Sequence, residues 1–278
     1  MNNITPALSL KWNKPYSISN EQINFFKKNG FIKLKNVFTP EELHYMDAVI
    51  TQQVDRLNTE RKSLQERDTY GKAFLQIMNI WTQSDTVKEI VFSKRIAKIA
   101  ANLMEVAGTR LYHDQALFKE PGGGHTPWHA DQFYWPLETD RTITAWIPLQ
   151  ETPLEMGPLE FAAQSYKLIA GRELMISDES QEKLDGNLKI NNFPHIIEPF
   201  EAGEVSFHSG WLFHRAGANK SGQMRKVMTM IYMDQEMKLK KPENENQVND
   251  WHRWCPGAEV GKVINTQLNP VLYSRNED

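Results

Sequence analysis

The sequence predicts a mainly β protein with helical additions, an antiparallel sandwich or barrel preceded by a helix-rich segment. Three observations carry this. Up to about residue 108 helical and extended patterns alternate between recognisable helix signals, and beyond it the apolar residues fall in short runs broken by Gly, Pro and Asn. The 278 residues suffice for one β or mixed core with helical additions. No repeat period or low-complexity tract interrupts them.

The first element is a helix from Asn20 that should stop at Gly30, a residue suited to a helix end. A strand follows over 31–37. Thr39-Pro-Glu-Glu42 combines an N-cap, a proline at the first helical position and a glutamate three after the cap, so a second helix should run to about Leu57. A polar segment, 58–72, separates it from the apolar run 74–81, and further helices should start near Ser84 and Ser93. The runs 111–119, 143–149, 159–162, 203–207 and 225–233 then read as strands. Segment 168–200 is charged and glycine-poor with little regular period, which marks an insertion or a lid across the mouth. After Asp234 the tail is polar, then regains anchors at Trp251, Trp254, Leu268, Val271 and Tyr273 that should pack it back on the body. The expected organisation is one domain, 1–278: a helix-rich part to 108, a β core over 109–235 with the insertion at about 168–200, and a tail over 236–278.

Composition excludes some functions. Lys plus Arg number 32 against 35 for Asp plus Glu, and the net charge of -3 offers no general attraction to nucleic acid or an anionic membrane. No apolar stretch approaches the ~20 residues that cross a bilayer. The single cysteine, Cys255, cannot form an internal disulfide, and the first residues carry no basic segment followed by an apolar run, so a cytoplasmic location is expected. Oligomeric state is not legible.

The chemistry lies in His125-Thr-Pro-Trp-His-Ala-Asp131 and in His214, which the apolar residues after Gly203 should carry to the end of a strand before a Gly/Asn turn. In an extended strand, residues two apart project to the same side, so His129 and Asp131 can grip one metal ion while Ala130 points away. With His214 they form a set of two imidazoles and one carboxylate, which leaves positions open on iron(II) for a co-substrate and dioxygen. The bland alternative makes His129 a loop residue and Asp131 a turn residue; Pro127, which biases Thr126 toward extended geometry, and the preceding glycines favour a strand starting at the motif. His125 and His129, four apart, do not form a zinc protease pair, because Pro127 intervenes and no glutamate follows His125. His208 competes with His214 for the third position; His214 is preferred because Arg225 follows at 11 positions, opening a strand whose Arg225, Val227, Thr229 and Ile231 share one face. A buried arginine on an apolar face needs an anion, and the candidate is the distal carboxylate of 2-oxoglutarate; an ion pair with a glutamate such as Glu204 is the alternative.

For the substrate, His113, Gln115 and Lys119 share one face of their strand, and Gln76, Asn79 and Trp81 on the preceding segment are further candidates. Phe133, with Tyr134 and Trp135, walls the entrance or fills core, and Trp146 belongs to the core or to the co-substrate wall. Lys119 is a second candidate for binding the co-substrate.

The chain resembles the phytanoyl-CoA dioxygenase family of iron(II)/2-oxoglutarate-dependent oxygenases in Lys119-Glu-Pro-Gly-Gly-Gly124, Thr126-Pro-Trp-His-Ala-Asp131, Thr144-Ala-Trp-Ile-Pro-Leu149, Met156-Gly-Pro-Leu159, and His214-Arg-Ala-Gly-Ala-Asn219 followed by Arg225. The resemblance implies a double-stranded β-helix, or cupin-like jelly roll, with N-terminal helices. It also implies His129, Asp131 and His214 as iron ligands, Arg225 as the 2-oxoglutarate clamp, and dioxygen-dependent hydroxylation of a small molecule. Two places depart from the family pattern: Ala162-Ala-Gln-Ser-Tyr166 replaces a Pro-Gly-Ser-His stretch, and Ala216 stands where some relatives have a serine contacting 2-oxoglutarate. Asp131 occupies the corner that related halogenases leave to halide, which favours hydroxylation over chlorination. A non-oxidative cupin-like metalloenzyme and a non-catalytic sensor are the alternatives; Arg225 opposes the first and the intact residue set the second.

Overall fold

A reciprocal Ser19–Gln22 capping box starts helix α1 (Asn20–Asn29), and Gly30 ends it at φ +82°. The computed structural model describes residues 12–277. Helix α2 (Pro40–Leu57) carries the expected Thr39–Glu42 capping box. Between them β1 (Phe31–Leu34) is shorter than the 31–37 run, because Asn36 turns the chain at φ +54°. Helices α3 (Thr69–Ala73), α4 (Asp85–Val91) and α5 (Lys94–Met104) and strand β2 (Leu75–Met78) complete the helix-rich part. Glu42 also reaches Arg95 of α5 at 2.9 Å, a pair in which both side chains are buried.

Two antiparallel sheets form the jelly roll. The larger contains β1, β2, β3 (Gly108–Lys119), β5 (Thr142–Pro148), β8 (Val205–Ser209), β10 (Arg225–Asp234) and β11 (Val271–Ser274), in the order β1-β8-β5-β10-β3-β11 with β2 also paired to β3. The smaller runs β4-β9-β6-β7, from β4 (Thr126–His129), β9 (His214–Ala216), β6 (Leu159–Ala162) and β7 (His195–Ile197). Strand alternation divides the core. Met228, Met230 and Tyr232 of β10 join Ala145, Ile147 and Phe207 beneath the helices. Val227 instead meets Trp146, Phe161 and Ala216 between the sheets.

Three differences from expectation bear on the site. His214 opens β9 rather than ending a strand continuous with 203–207, because the chain leaves the larger sheet at Ser209 and crosses to the smaller one. Gly210 sits in that crossing, where an added Cβ would lie 2.4 Å from Gln132 Oε1. Segment 168–200 is partly built into the fold: β7 pairs with β6, and helix α6 (Asp178–Ile190) sets Leu184 and Leu188 against Trp128 and Phe213. From α6, Ser180 Oγ donates to Trp128 O at 2.9 Å and Gln181 Oε1 accepts from Trp128 N at 3.1 Å. The tail returns as helix α7 (Glu245–Trp254) and β11, with Trp254 and Tyr273 buried but Val271 exposed.

A β-bulge in the β3–β10 ladder pairs Ile231 with His113 and Tyr232 with Leu111, leaving Tyr112 as the extra residue. The rings of Tyr112 and His113 consequently lie 5.2 Å apart. Asp114, on the opposite face of β3, accepts from the backbone N–H of Ile80 at 3.0 Å and of Trp81 at 3.4 Å. Burial pushes its carboxyl up to about 7 against the pull of those two bonds. An acid kept protonated in the fold but ionised in the unfolded chain loses stability as pH rises from about 4 to the folded value. Asp114→Asn is therefore expected to flatten the fall in unfolding free energy between about pH 4 and 7, where one proton contributes at most about 1.4 kcal/mol per pH unit. Urea titrations across that window check this, and an unchanged slope would assign the proton to another group.

Candidate active site

The β4–β9 pairing sets His129 directly opposite His214. Ala130 continues extended at φ −125° and is buried away from the site, so Asp131, first residue of a 3-10 turn, comes back to the side of His129. One ligand atom from each of His129, Asp131 and His214 lies within 4.8 Å of the others. His129 Nε2 is 3.6 Å and His214 Nε2 3.7 Å from Asp131 Oδ1. His129 Nδ1 lies 2.8 Å from Pro127 O and His214 Nδ1 2.9 Å from Leu212 O, so both rings donate backward and turn Nε2 lone pairs toward a common point. Thr144 Oγ1 donates to the other carboxylate oxygen, Oδ2, at 3.0 Å. This donor set fits a divalent transition metal with open positions.

His208 stands beside this group, with Nε2 3.4 Å from Asp131 Oδ2 and its ring 4.3 Å from that of His214. It is 1% exposed and neither ring nitrogen makes a hydrogen bond among the described residues. Of the two histidines that spacing leaves in competition, His214 belongs to the three-residue cluster and His208, on β8 of the larger sheet, stands outside it. Burial would raise the Asp131 carboxyl, but the surrounding imidazoles of His214, His129 and His208 outweigh it and hold it well below the usual carboxylate range. Burial, with His129 and His208 adding to it, holds His214 well below the usual imidazole range.

A cavity of about 500 Å³ opens from the cluster. Arg225 lines it, 1% exposed, and pairs across the ladder with Lys119. Arg225 Nη1 donates to Gly157 O, while its Nε has no partner among the described residues. Gly157, at φ +66°, also lets the 217–218 backbone pass closely, since a Cβ there would lie 2.2 Å from Gly217 O. Burial pulls the guanidinium down to about 9, and burial with Arg225 nearby pulls the Lys119 ammonium down to about 6. A buried guanidinium with an unpartnered Nε–H on the cavity wall is a donor that an anion can satisfy. The glutamate alternative does not hold: Glu204 pairs with Lys33 at 3.3 Å and Lys35 at 3.7 Å.

Trp146, His113, Gln115 and Gln76 also line the cavity, and Gln76 Nε2 donates to Gln115 Oε1 at 2.6 Å. Four candidates lie elsewhere. Lys119 does not line the cavity; its Nζ donates to Gly124 O at 2.6 Å and Gly217 O at 2.7 Å. Asn79, at φ +48°, accepts from Asp114 N through Oδ1 behind β3. Trp81 packs on Phe92 at 5.2 Å. Phe133 borders a separate surface hollow with Gln132 and Trp211. The wall also includes residues that sequence reasoning does not select, chiefly Thr144, Tyr70, and Asp250 and Arg253 of α7. Thr144 has a signal in hindsight, as a polar residue two positions before Trp146 on the same inward face.

Residues 26–227 match the family described as phytanoyl-CoA dioxygenase. A probable α-ketoglutarate-dependent hypophosphite dioxygenase of Stutzerimonas stutzeri is 22% identical over 76% of this chain and 77% of its own. An ectoine dioxygenase of Bordetella bronchiseptica is 20% identical over 82% and 79%. Among solved structures, the non-haem α-ketoglutarate-dependent carbocyclase SnoK from nogalamycin biosynthesis has a TM-score of 0.73 at 22% identity, covering 92% of this chain and 98% of that one. The epimerase SnoN in complex with Fe3+, α-ketoglutarate and nogalamycin RO also has a TM-score of 0.73 at 22% identity, covering 97% and 100%. These structures share the jelly-roll fold seen here. With the family match spanning most of its length, the chain belongs to the phytanoyl-CoA dioxygenase family of iron- and 2-oxoglutarate-dependent oxygenases.

Proposed function

We propose that the chain is an iron(II)/2-oxoglutarate-dependent dioxygenase that hydroxylates a C–H bond of a small molecule, with His129, Asp131 and His214 as metal ligands and Arg225 as the clamp for the co-substrate's distal carboxylate. The observation that carries this reading is the convergence of the three ligand atoms within 4.8 Å at one end of a cavity that also exposes a buried, incompletely bonded arginine. In the balanced reaction, substrate, dioxygen and 2-oxoglutarate give hydroxylated substrate, succinate and carbon dioxide. Iron(II), when bound, supplies the activation of dioxygen that organic side chains lack.

This chain's own contribution is placement. The Nδ1 bonds to Pro127 O and Leu212 O fix both imidazoles in the tautomer that leaves Nε2 free. Thr144 holds Asp131 Oδ2 and so leaves Oδ1 toward the imidazoles. Arg225 orients the co-substrate through charge-assisted hydrogen bonds, and the buried faces of Trp146 and Leu159 keep water from that end. Hydroxylation is favoured over halide transfer because a carboxylate fills the Asp131 corner. The location of the fold neighbours among carbocyclases and epimerases makes the fate of oxygen the decisive observable.

His129→Ala and Asp131→Ala are each expected to abolish succinate formation while leaving circular dichroism and melting temperature near wild type; full turnover in either would refute the ligand assignment. Arg225→Ala should raise the 2-oxoglutarate KM roughly 10–100-fold, from the loss of hydrogen bonds to a charged group. An unchanged KM would move the clamp elsewhere. Turnover under 18O2 should place one labelled oxygen in the product and one in succinate. Product without label would point instead to ring closure or epimerisation.

A further inference from the structure

The end of the cavity farthest in chain order from the metal motif is built by α7, which presents Asp250 and Arg253 to it. The two lie three residues apart, the spacing at which helical side chains are neighbours, yet they form no ion pair with each other or with any other described residue. Asp250 is half-buried; Tyr112 OH donates to it at 3.3 Å and the Trp254 side chain is its second hydrogen-bond partner. Burial pushes its carboxyl up to about 7, outweighing the opposing pull of Tyr112, Trp254 and Arg253, so the ionised form is left short of stabilisation that a bound cation would add. The imidazole of His113 offers no counter-charge, since burial pulls it down to about 4. Arg253 is exposed at the rim and lies flat on Trp254, Cζ 4.5 Å from the ring centroid. Tyr134, Trp135 and Trp254 line the same end, and aromatic faces beside a carboxylate favour an ammonium group.

Resting on the dioxygenase reading, we infer that this end of the cavity is a zwitterion-binding subsite, in which Asp250 takes the ammonium and Arg253 the carboxylate of a small amino acid or amino-acid derivative. Arg225 lines the same cavity and is assigned to the co-substrate anion, so the two sets of charged groups divide the cavity between substrate and co-substrate. A partly buried carboxylate at this end also opposes entry of a polyanionic thioester such as an acyl-CoA.

The test is anaerobic. Protein loaded with iron(II) and 2-oxoglutarate is monitored by the visible charge-transfer band of the chelate while free L-amino acids, their N-acetyl and carboxamide derivatives, and butyryl-CoA are added singly. At least one free amino acid is expected to perturb the band, with N-acetylation weakening its apparent affinity about tenfold or more. Asp250→Asn, which can still accept the Tyr112 bond, should weaken the free amino acid about as much, and Arg253→Gln should cost the free acid more than its carboxamide. Equal binding of blocked and free compounds, no loss in Asp250→Asn, a response to butyryl-CoA alone, or a band that no amino acid perturbs would each overturn the subsite and leave the dioxygenase reading standing. Failure of the band to form at all would overturn both.

Discussion

The register between β4 and β9 is the constraint on which the site depends. It sets His129 across from His214, and a slip of one residue would send one imidazole to the opposite face of the sheet. Neither strand is long enough to hold that register by itself, with four and three residues respectively. The register is held from outside: Phe161 on β6 pairs with His214, Gly157 allows close passage of Gly217, and α6 grips the backbone of Trp128. Metal-ligand geometry is thus a property of the sheet's neighbours as much as of the ligands.

A second theme is the separation of buried charge. Asp131 is surrounded by three imidazoles, while Arg225 and Lys119 sit side by side across the β3–β10 ladder with backbone carbonyls as their described partners. Leaving cations incompletely matched in the interior costs stability, and the cost is offset when an anionic ligand arrives. The same reasoning applies in reverse to the half-buried carboxylate of Asp250 on the wall of the same cavity. Such a cavity is better suited to charged ligands than to a purely apolar one.

The fold class and the helix ends were legible because local rules decide them: a capping box at Thr39, a glycine at the left-handed end of α1, and alternation along β10. The His129–Asp131 geometry was legible for the same reason, since one extended residue between them suffices. What depended on distant chain was not. Nothing local says that 209–213 crosses between sheets, so His214 was expected at a strand's end. Alternation correctly aimed His113 and Gln115 inward but also suggested Lys119, whose ammonium is claimed by carbonyls of Gly124 and Gly217. Asn79 and Trp81 were diverted by Asp114, a residue 33 positions or more away in sequence. The contribution of α7 to the cavity was invisible, because the tail offered only scattered aromatic anchors and no indication of where it would dock.

Helix α6 has a consequence beyond the site. β4 is the edge strand of the smaller sheet, and an edge presents unpaired N–H and C=O groups that any extended chain could match. By occupying both backbone groups of Trp128 with the side chains of Gln181 and Ser180, α6 imitates a neighbouring strand using a helix. The strand that carries His129 thereby presents fewer open backbone groups to an extended chain that would pair with its edge.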